Sequence, residues 1–504
     1  MYCSPNMHII QNALNNKIGD YMKYLTKSYE INRDIFKSDF KDCSDFLLRE
    51  VIVSGRRGFF CTFDGLTDSL MLSHMITEPI LRSNIETISP AEHFETIKKS
   101  VVGSVEMKEI NTFEDCHFYI MSGFALFYLE GCLNALAMGV QGWSKRTTDE
   151  PTNEAMVKGA KECFVETLND NKALLRKRLK THHLKLKQIK LGESVSTCVV
   201  LAYIDNRVNF DSLNEIEKRL KSADLNTVSD YGCLEPFINS KVKSFFSAVG
   251  NTERPDVLAS KLLEGRIGII VDGTPFVMFT PYLFSDNFSS LDDYDNPPFY
   301  ASFTRGLKYL AFFISVFLPA MYVAVGTFHQ EMIPTTLLYV IASSEATTPF
   351  SLVLEAVIIH ILYEIMREAG LRLPQTIGHA VSIIGAIVIG EAIVSAGIIG
   401  EPMLVTVALT AIASYVVYPL YESVAFLRIL FILLAGVGGM YALIIGIGAL
   451  GINICALGNL GVPYSAPISP LTFSSLGDTI IRRSWKNLSR RRVRIYDLEG
   501  SSVE

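Results

Sequence analysis

Residues 429–457 read ILFILLAGVGGMYALIIGIGALGINICAL, from Ile429 to Leu457, without one charged side chain. A bilayer core of about 30 Å takes about 20 helical residues, so this run is long enough to cross it. Three more stretches pass the same test. Tyr309–Phe328 carries no charge, Thr376–Gly400 carries only Glu391 besides His379, and Met403–Leu427 carries only Glu422. Phe350–Met366 is shorter and bears Glu355, His360 and Glu364. His360 and Glu364 share a helix face at i,i+4, while Glu355 points away from Glu364. It therefore reads as an interfacial or re-entrant helix. Residues 301–470 are expected to form an all-α transmembrane domain of about four spans plus this helix.

Composition agrees. Of 504 residues, 49% are hydrophobic and 19% charged, and mean hydropathy is +0.27, which excludes a disordered or fibrous chain and argues against a purely soluble one. The net charge of −6, from 46 basic and 52 acidic residues, offers no bulk attraction to nucleic acid. Residues 1–300 hold 34 basic and 40 acidic side chains, residues 301–480 hold 5 and 9, and residues 481–504 hold 7 and 3. A charge-poor block between charged ones is the pattern of a membrane domain with wet flanks.

The basic tail, RRSWKNLSRRRVR after Ile481, favours the cytoplasm, and an even number of spans then puts the N-terminal part there too. The nine cysteines are scattered with no CxxC pair, which suits reduced thiols and predicts no disulfide. The opening MYCSPNMHIIQN lacks the basic and apolar regions of a signal peptide.

The region before the spans is mixed. β-rich runs appear at Gly58–Phe63, Cys116–Met121, Ser196–Ile204 and Arg266–Val271. Helical patterns appear at Asp68–Leu81, Ser212–Lys221 and the basic run Ala160–Leu186. An N-terminal segment (1–38), a cytosolic α/β domain (39–300) and a basic cytosolic tail (471–504) are expected. A helical region at about 154–190 would divide the α/β domain into two lobes.

Glu391 stands out, because a carboxylate inside a span costs at least ~2.5–3.5 kcal/mol without a partner or water. Small residues around it, Ser382 and Gly385 among them, suit close packing about an axis. It is either a pore or gating carboxylate or one paired with a neighbouring helix. Glu355, His360 and Glu364 supply two convergent ligands at most, which suits a polar face on a wet cavity or subunit contact better than a metal. Arg428 either anchors at the membrane surface or pairs with Glu422.

Gly446, Gly448 and Gly451 match GxGxxG but follow no strand, so helix packing explains them. His182 and His183 fall in the basic helical pattern, as a solvated face or a surface for acidic lipid. In Thr252–Glu253–Arg254–Pro255–Asp256, Arg254 can hold a carboxylate bidentately and Pro255 disfavours helix at Arg254, so the motif would fix a turn before the membrane or relay a signal. No nucleophile–base pair, phosphate loop or complete metal set appears, so no enzyme, cofactor or metal site is expected.

Longer motifs carry a resemblance. TERPD (252–256), LLEGRIGIIVDGTPF (262–276), TFHQEMIP (327–334), REAGLRLP (367–374), GHAVSIIGAIVIGEA (378–392), ALTAIASYV (408–416) and GVPYSAPISP (461–470) resemble the GerA family of bacterial spore germination proteins. Shorter echoes lie at FDGLTD (63–68), EPTNEAMVKGA (150–160) and LGES (191–194). The chain departs from the family pattern at Lys158-Gly159-Ala160 and Cys163-Phe164. The resemblance implies the A subunit of a nutrient germinant receptor in the spore inner membrane, acting with B and C subunits. It also implies a homo-oligomeric ring forming a nutrient-gated ion channel, with the nutrient held by the B partner. A related stage V sporulation AF protein, amplifying ion and dipicolinate release, and a secondary transporter are the alternatives.

Overall fold

The computed structural model describes residues 23–83, 89–102, 106–142, 151, 154, 156, 158–373, 390–472, 476–488 and 494–502. The first lobe comprises α1 (Tyr29–Asp39), β1 (Phe46–Val53), β2 (Arg56–Phe63), β3 (Met107–Ile110), α2 (Phe113–Ile120), β4 (Phe124–Leu129) and β5 (Ala135–Gly139). Its sheet runs β1-β2-β4-β5-β3, each pair antiparallel. The second lobe comprises α3 (Leu168–Arg178), β6 (Leu184–Leu191), β7 (Thr197–Ile204), α4 (Phe210–Lys221), β8 (Gly250–Thr252), α5 (Pro255–Leu263), β9 (Ile267–Val271) and β10 (Val277–Thr280). Its sheet runs β6-β7-β9-β10-β8, again antiparallel throughout.

The two orders are one order, shifted by five strands, and the backbone bonds repeat with it. Asn32 and Asn171, both fully buried, each clamp the backbone six residues upstream: Asn32 Oδ1 accepts from Thr26 N at 3.0 Å, and Asn171 Oδ1 accepts from Val165 N at 2.8 Å. Each returns a side-chain N–H to the same residue's carbonyl at 2.6 Å. Gly131 and Gly273, with φ of +88° and +91°, turn β4 into β5 and β9 into β10, and their N–H groups bond Lys27 O and Glu166 O. The lobes are two copies of one folding unit.

Two expectations change here. Cys116–Ile120 is helical, within α2, with Met121 just past its end, because Thr112 caps it by accepting from Asp115 N and because Phe113, Cys116 and Ile120 bury one face. The strand there is β4, whose six residues are all buried in mid-sheet. The run Ala160–Leu186 is helical only over α3, and within 154–190 the chain then turns into β6. His182 and His183 lie in that turn, not on a helix.

The lobes are locked together. Arg176 of α3 donates to both oxygens of Asp45, at 2.7 and 3.0 Å, with both side chains essentially inaccessible. His117 of the first lobe packs at a tilt against His182 of the second (centroids 5.1 Å), which packs against His183, with Asp39 at His117 and Asp205 at His183 closing the two ends of the imidazole row. Burial, then the neighbouring imidazoles, pushes His182 down to about 4.

The helical part holds α6 (Pro298–Phe328), α7 (Thr335–Glu345), α8 (Leu352–Arg372), α9 (Glu401–Val416) and α10 (Tyr421–Ala456). The 31 residues of α6 are long and apolar enough to cross a bilayer. α10 passes the same test by composition, yet it is two antiparallel halves, 421–438 and 440–456. At 1.5 Å per residue, a straight helix would hold Ser423 and Asn453 about 45 Å apart. Instead Ser423 Oγ bonds Phe245 O while Asn453 bonds Lys243 O and Ser244 Oγ. Gly446 likewise faces Phe431 and Leu434. The reversal is at Gly439, whose φ of +56° suits glycine and whose missing side chain makes room for Phe328.

Ile429–Leu457 is therefore not one span. Met403–Leu427 also breaks, at Val417–Leu420, where Pro419 removes a helical donor. α8 runs lengthwise through the bundle, from Leu352 against Gly326 to Glu364 against Tyr421. Most of Thr376–Gly400, including Ser382 and Gly385, lies outside the described residues.

The chain leaves the bundle where it entered. Asn459 bonds Ile238 O and Thr280 Oγ1, Tyr464 O accepts from Phe284 N, and Ile495 N donates to Glu264 O. The start of α6, the end of α10 and the tail thus share one side of the bundle with the second lobe.

Candidate functional site

The helices bring together a charged centre that the sequence left scattered. Arg428, 1% exposed in the first half of α10, donates from Nε to Ser315 O of α6 at 3.0 Å and from Nη2 to Ser414 Oγ of α9. Its Nη1 stands 3.6 Å from Glu364 Oε1 of α8. Glu364 also accepts from Tyr421 OH at 2.9 Å and Arg367 Nε at 3.2 Å, and the Arg367 guanidinium covers the Tyr421 ring at 3.7 Å. One carboxylate thus holds two arginines and ties α8 and α10 together, while Arg428 adds α6 and α9. In an apolar bundle such a pair is far costlier to break than to form. Arg428 neither anchors at the surface nor pairs with Glu422.

The other proposed polar residues separate. Glu355, 1% exposed at the distal end of α8, accepts from Gly400 N at 2.5 Å, and its Oε2 has no hydrogen-bond partner among the described residues. Glu345 at the end of α7 likewise leaves Oε1 buried without one. His360 bonds Ala356 O through Nδ1 at 2.7 Å. Glu355 and Glu364 thus serve opposite ends of the bundle, and no metal-holding group of three occurs among the described residues. Glu391 faces outward from its own bundle, exposed and without an ion pair among the described residues.

The TERPD motif works elsewhere than expected. Arg254 caps α5 in an extended conformation, with Pro255 as the first helical residue. Its guanidinium grips Asp256 bidentately, at 3.1 and 2.7 Å, and donates to Ala160 O at 2.8 Å and Glu154 O. Thr252 Oγ1 donates to Glu154 Oε2, Glu253 Oε1 accepts from Glu154 N at 2.8 Å, and Phe164 N donates to Glu253 O at 2.7 Å. The motif clasps the segment joining the lobes; it is not the turn before the membrane. That contact belongs to Lys243–Phe245, which hold both ends of the α10 hairpin.

Burial pushes the Glu154 carboxyl up to about 7. Glu154, Arg176, Asp45 and the Arg428–Glu364 pairing escaped sequence reasoning. The visible signal was an arginine and a glutamate in otherwise apolar runs.

Comparison with known proteins places this architecture. The profile of the Bacillus/Clostridium GerA spore germination protein family matches residues 34–494. Membrane protein YfkQ of Bacillus subtilis is 36% identical over 453 residues, covering 89% of this chain and 88% of YfkQ. Spore germination protein KA of the same organism is 36% identical over 454 residues, covering 89% of this chain and 83% of its own. A crystal structure of the N-terminal domain of the A subunit of the Bacillus megaterium spore germinant receptor GerK3 aligns with a TM-score of 0.42 at 28% identity, covering 52% of this chain and 98% of that one. With a profile match running from the first lobe to the tail, the chain belongs to the GerA family of spore germination proteins.

Proposed function

We propose that the chain is the A subunit of a germinant receptor in the spore inner membrane, acting with B and C subunits and assembling with copies of itself into a nutrient-gated ion channel. The observation that carries this is the junction of the second lobe with both ends of the α10 hairpin, through Lys243, Ser244 and Phe245. A shift of the lobes has a hydrogen-bonded route into the helices around Arg428. The lobes and tail are assigned to the cytoplasm, as the basic tail favours.

The proposal counts six passes: α6, α8, the stretch Thr376–Gly400, α9 and the two halves of α10. That number is even, as a shared side for lobes and tail requires. Glu391, with Ser382 and Gly385, is assigned to the pore or gate, because an exposed carboxylate with no ion pair among the described residues, on a membrane helix, needs water, an ion or a neighbouring copy. Glu355, His360 and Glu364 line the polar interior, and Thr252–Asp256 relay between lobes.

Spores lacking the gene are scored for release of monovalent ions and dipicolinate against single nutrients. Loss of the response to one nutrient class, with the others intact, is expected. Uniform slowing across all nutrients would support the stage V AF-like alternative instead. Glu391→Gln should reduce ion release at normal protein levels, and unchanged release would remove it from the pore.

A further inference from the structure

Where α6 begins, the chain forms a concavity of about 500 Å³ lined by Tyr294, Asp295, Pro297, Arg482, Trp485 and Lys486, among others. Arg482 is 3% exposed, yet no carboxylate pairs with it among the described residues. Its Nη2 donates to Tyr294 O at 3.1 Å, while its Nε is buried with no hydrogen-bond partner among the described residues. The guanidinium lies 5.7 Å from the Tyr294 ring and 5.5 Å from the Trp485 ring. A bond from Arg482 N to Ser302 Oγ at 3.0 Å fixes the segment to the first turns of α6, and one from the Trp485 indole Nε1 to Tyr294 O at 3.2 Å fixes it to the turn just before that helix.

A buried arginine normally has an anion beside it, because an uncompensated charge is costly to desolvate. Here the protein supplies two cations, Arg482 and Lys486, against the single carboxylate of Asp295. The depth is also marked. Phe299, Tyr300 and Phe303 on the same turns are 92%, 56% and 63% exposed, and Trp485 is 59% exposed. Aromatic side chains exposed at the start of a membrane helix belong at headgroup level.

We propose that this concavity binds the phosphate of an anionic phospholipid. Arg482 Nε and Lys486 Nζ donate to the phosphate oxygens, while Trp485 and the α6 aromatics lie against the glycerol and upper acyl region. The site depends on the membrane assignment and not on any role in germination. It would pin the tail to the start of α6 at the membrane surface.

The test is native mass spectrometry of the full-length protein in detergent, with phosphatidylglycerol, phosphatidylcholine or inorganic phosphate added. Both lipids offer the same phosphate oxygens, but the quaternary ammonium of choline is repelled by Arg482 and Lys486, which should make phosphatidylglycerol retention about tenfold higher than that of phosphatidylcholine. Lys486→Glu, an exposed substitution that leaves the core intact, should bring the ratio to about one, and Arg482→Gln should do the same. Equal retention of both lipids by the parent protein, or a preference that survives in Lys486→Glu, overturns the proposal. Inorganic phosphate that displaces phosphatidylglycerol at equal concentration overturns it as well, because the site would then be one for free anions.

Discussion

The two lobes share a strand order, a buried asparagine clamp and a glycine turn, but they differ where the helix after the short third strand begins. In the first lobe, Thr112 caps α2 with a single hydroxyl. In the second, the same position is Arg254, 2% exposed, holding Asp256 and two carbonyls of the inter-lobe segment. The first lobe meets the second; the second also meets the membrane helices. One folding unit was kept as scaffold in both, and the added charge appears only in the copy that must hold other parts of the chain.

The sharpest way to break this comparison is to substitute the matched positions. Arg254→Ala removes a buried cation with several partners and should cost about 3 kcal/mol, against about 1 kcal/mol for Thr112→Ala. Thermal unfolding of the full-length protein in detergent measures both, and equal losses would dissolve the distinction. Asn32→Ala and Asn171→Ala should instead lie close together, each costing about 2 kcal/mol, since each leaves a buried backbone N–H without its acceptor; Thr26 O keeps Tyr128 OH as a donor, which makes Asn32→Ala slightly the milder. A difference beyond about 1 kcal/mol would mean that the clamps are not equivalent.

The smallest effect concerns pH. Burial raises Glu154 from 4.5 to about 7, so the folded chain holds its proton more tightly than the unfolded chain does between those values. The clasp is then strongest below about 4.5 and weakens as pH rises towards 7. Hydrogen exchange at the Phe164 amide, corrected for its intrinsic rate, should speed up across that window and stay level in Glu154→Gln. The matching amide of Leu25, bonded to Asn111 O at 2.8 Å, should show no such step. A parallel rise at both amides would assign the pH dependence to some other group.

Much of the soluble fold was legible locally. α4 follows its apolar spacing from Leu213 to Leu220, and β2, β7 and β9 follow their β-branched and aromatic runs. Cys116–Met121 misled because its apolar residues suit either period, and the Thr112 cap decides for helix. The duplication had a faint trace: Leu129-Glu130-Gly131 and Val271-Asp272-Gly273 each precede the next strand by the same interval. Backbone hydrogen bonds carry the rest of that repeat, and these constrain side chains weakly.

By itself the sequence determined that a charge-poor helical block follows a mixed soluble region, because burial in lipid or in a core dictates residue type over long runs. It also marked Glu391, Glu364, Arg428 and the TERPD residues as polar groups needing partners. Only the tertiary structure decided which partners they have. Gly439 folds an uncharged run back on itself, which returns Asn453 to the lobe and lines the hairpin along α6. Arg428 then meets Glu364 rather than Glu422, six residues away on its own helix. Hydropathy records how apolar a segment is, but a reversal turns on one residue's φ, and the pairing of buried charges turns on which helices that reversal sets side by side.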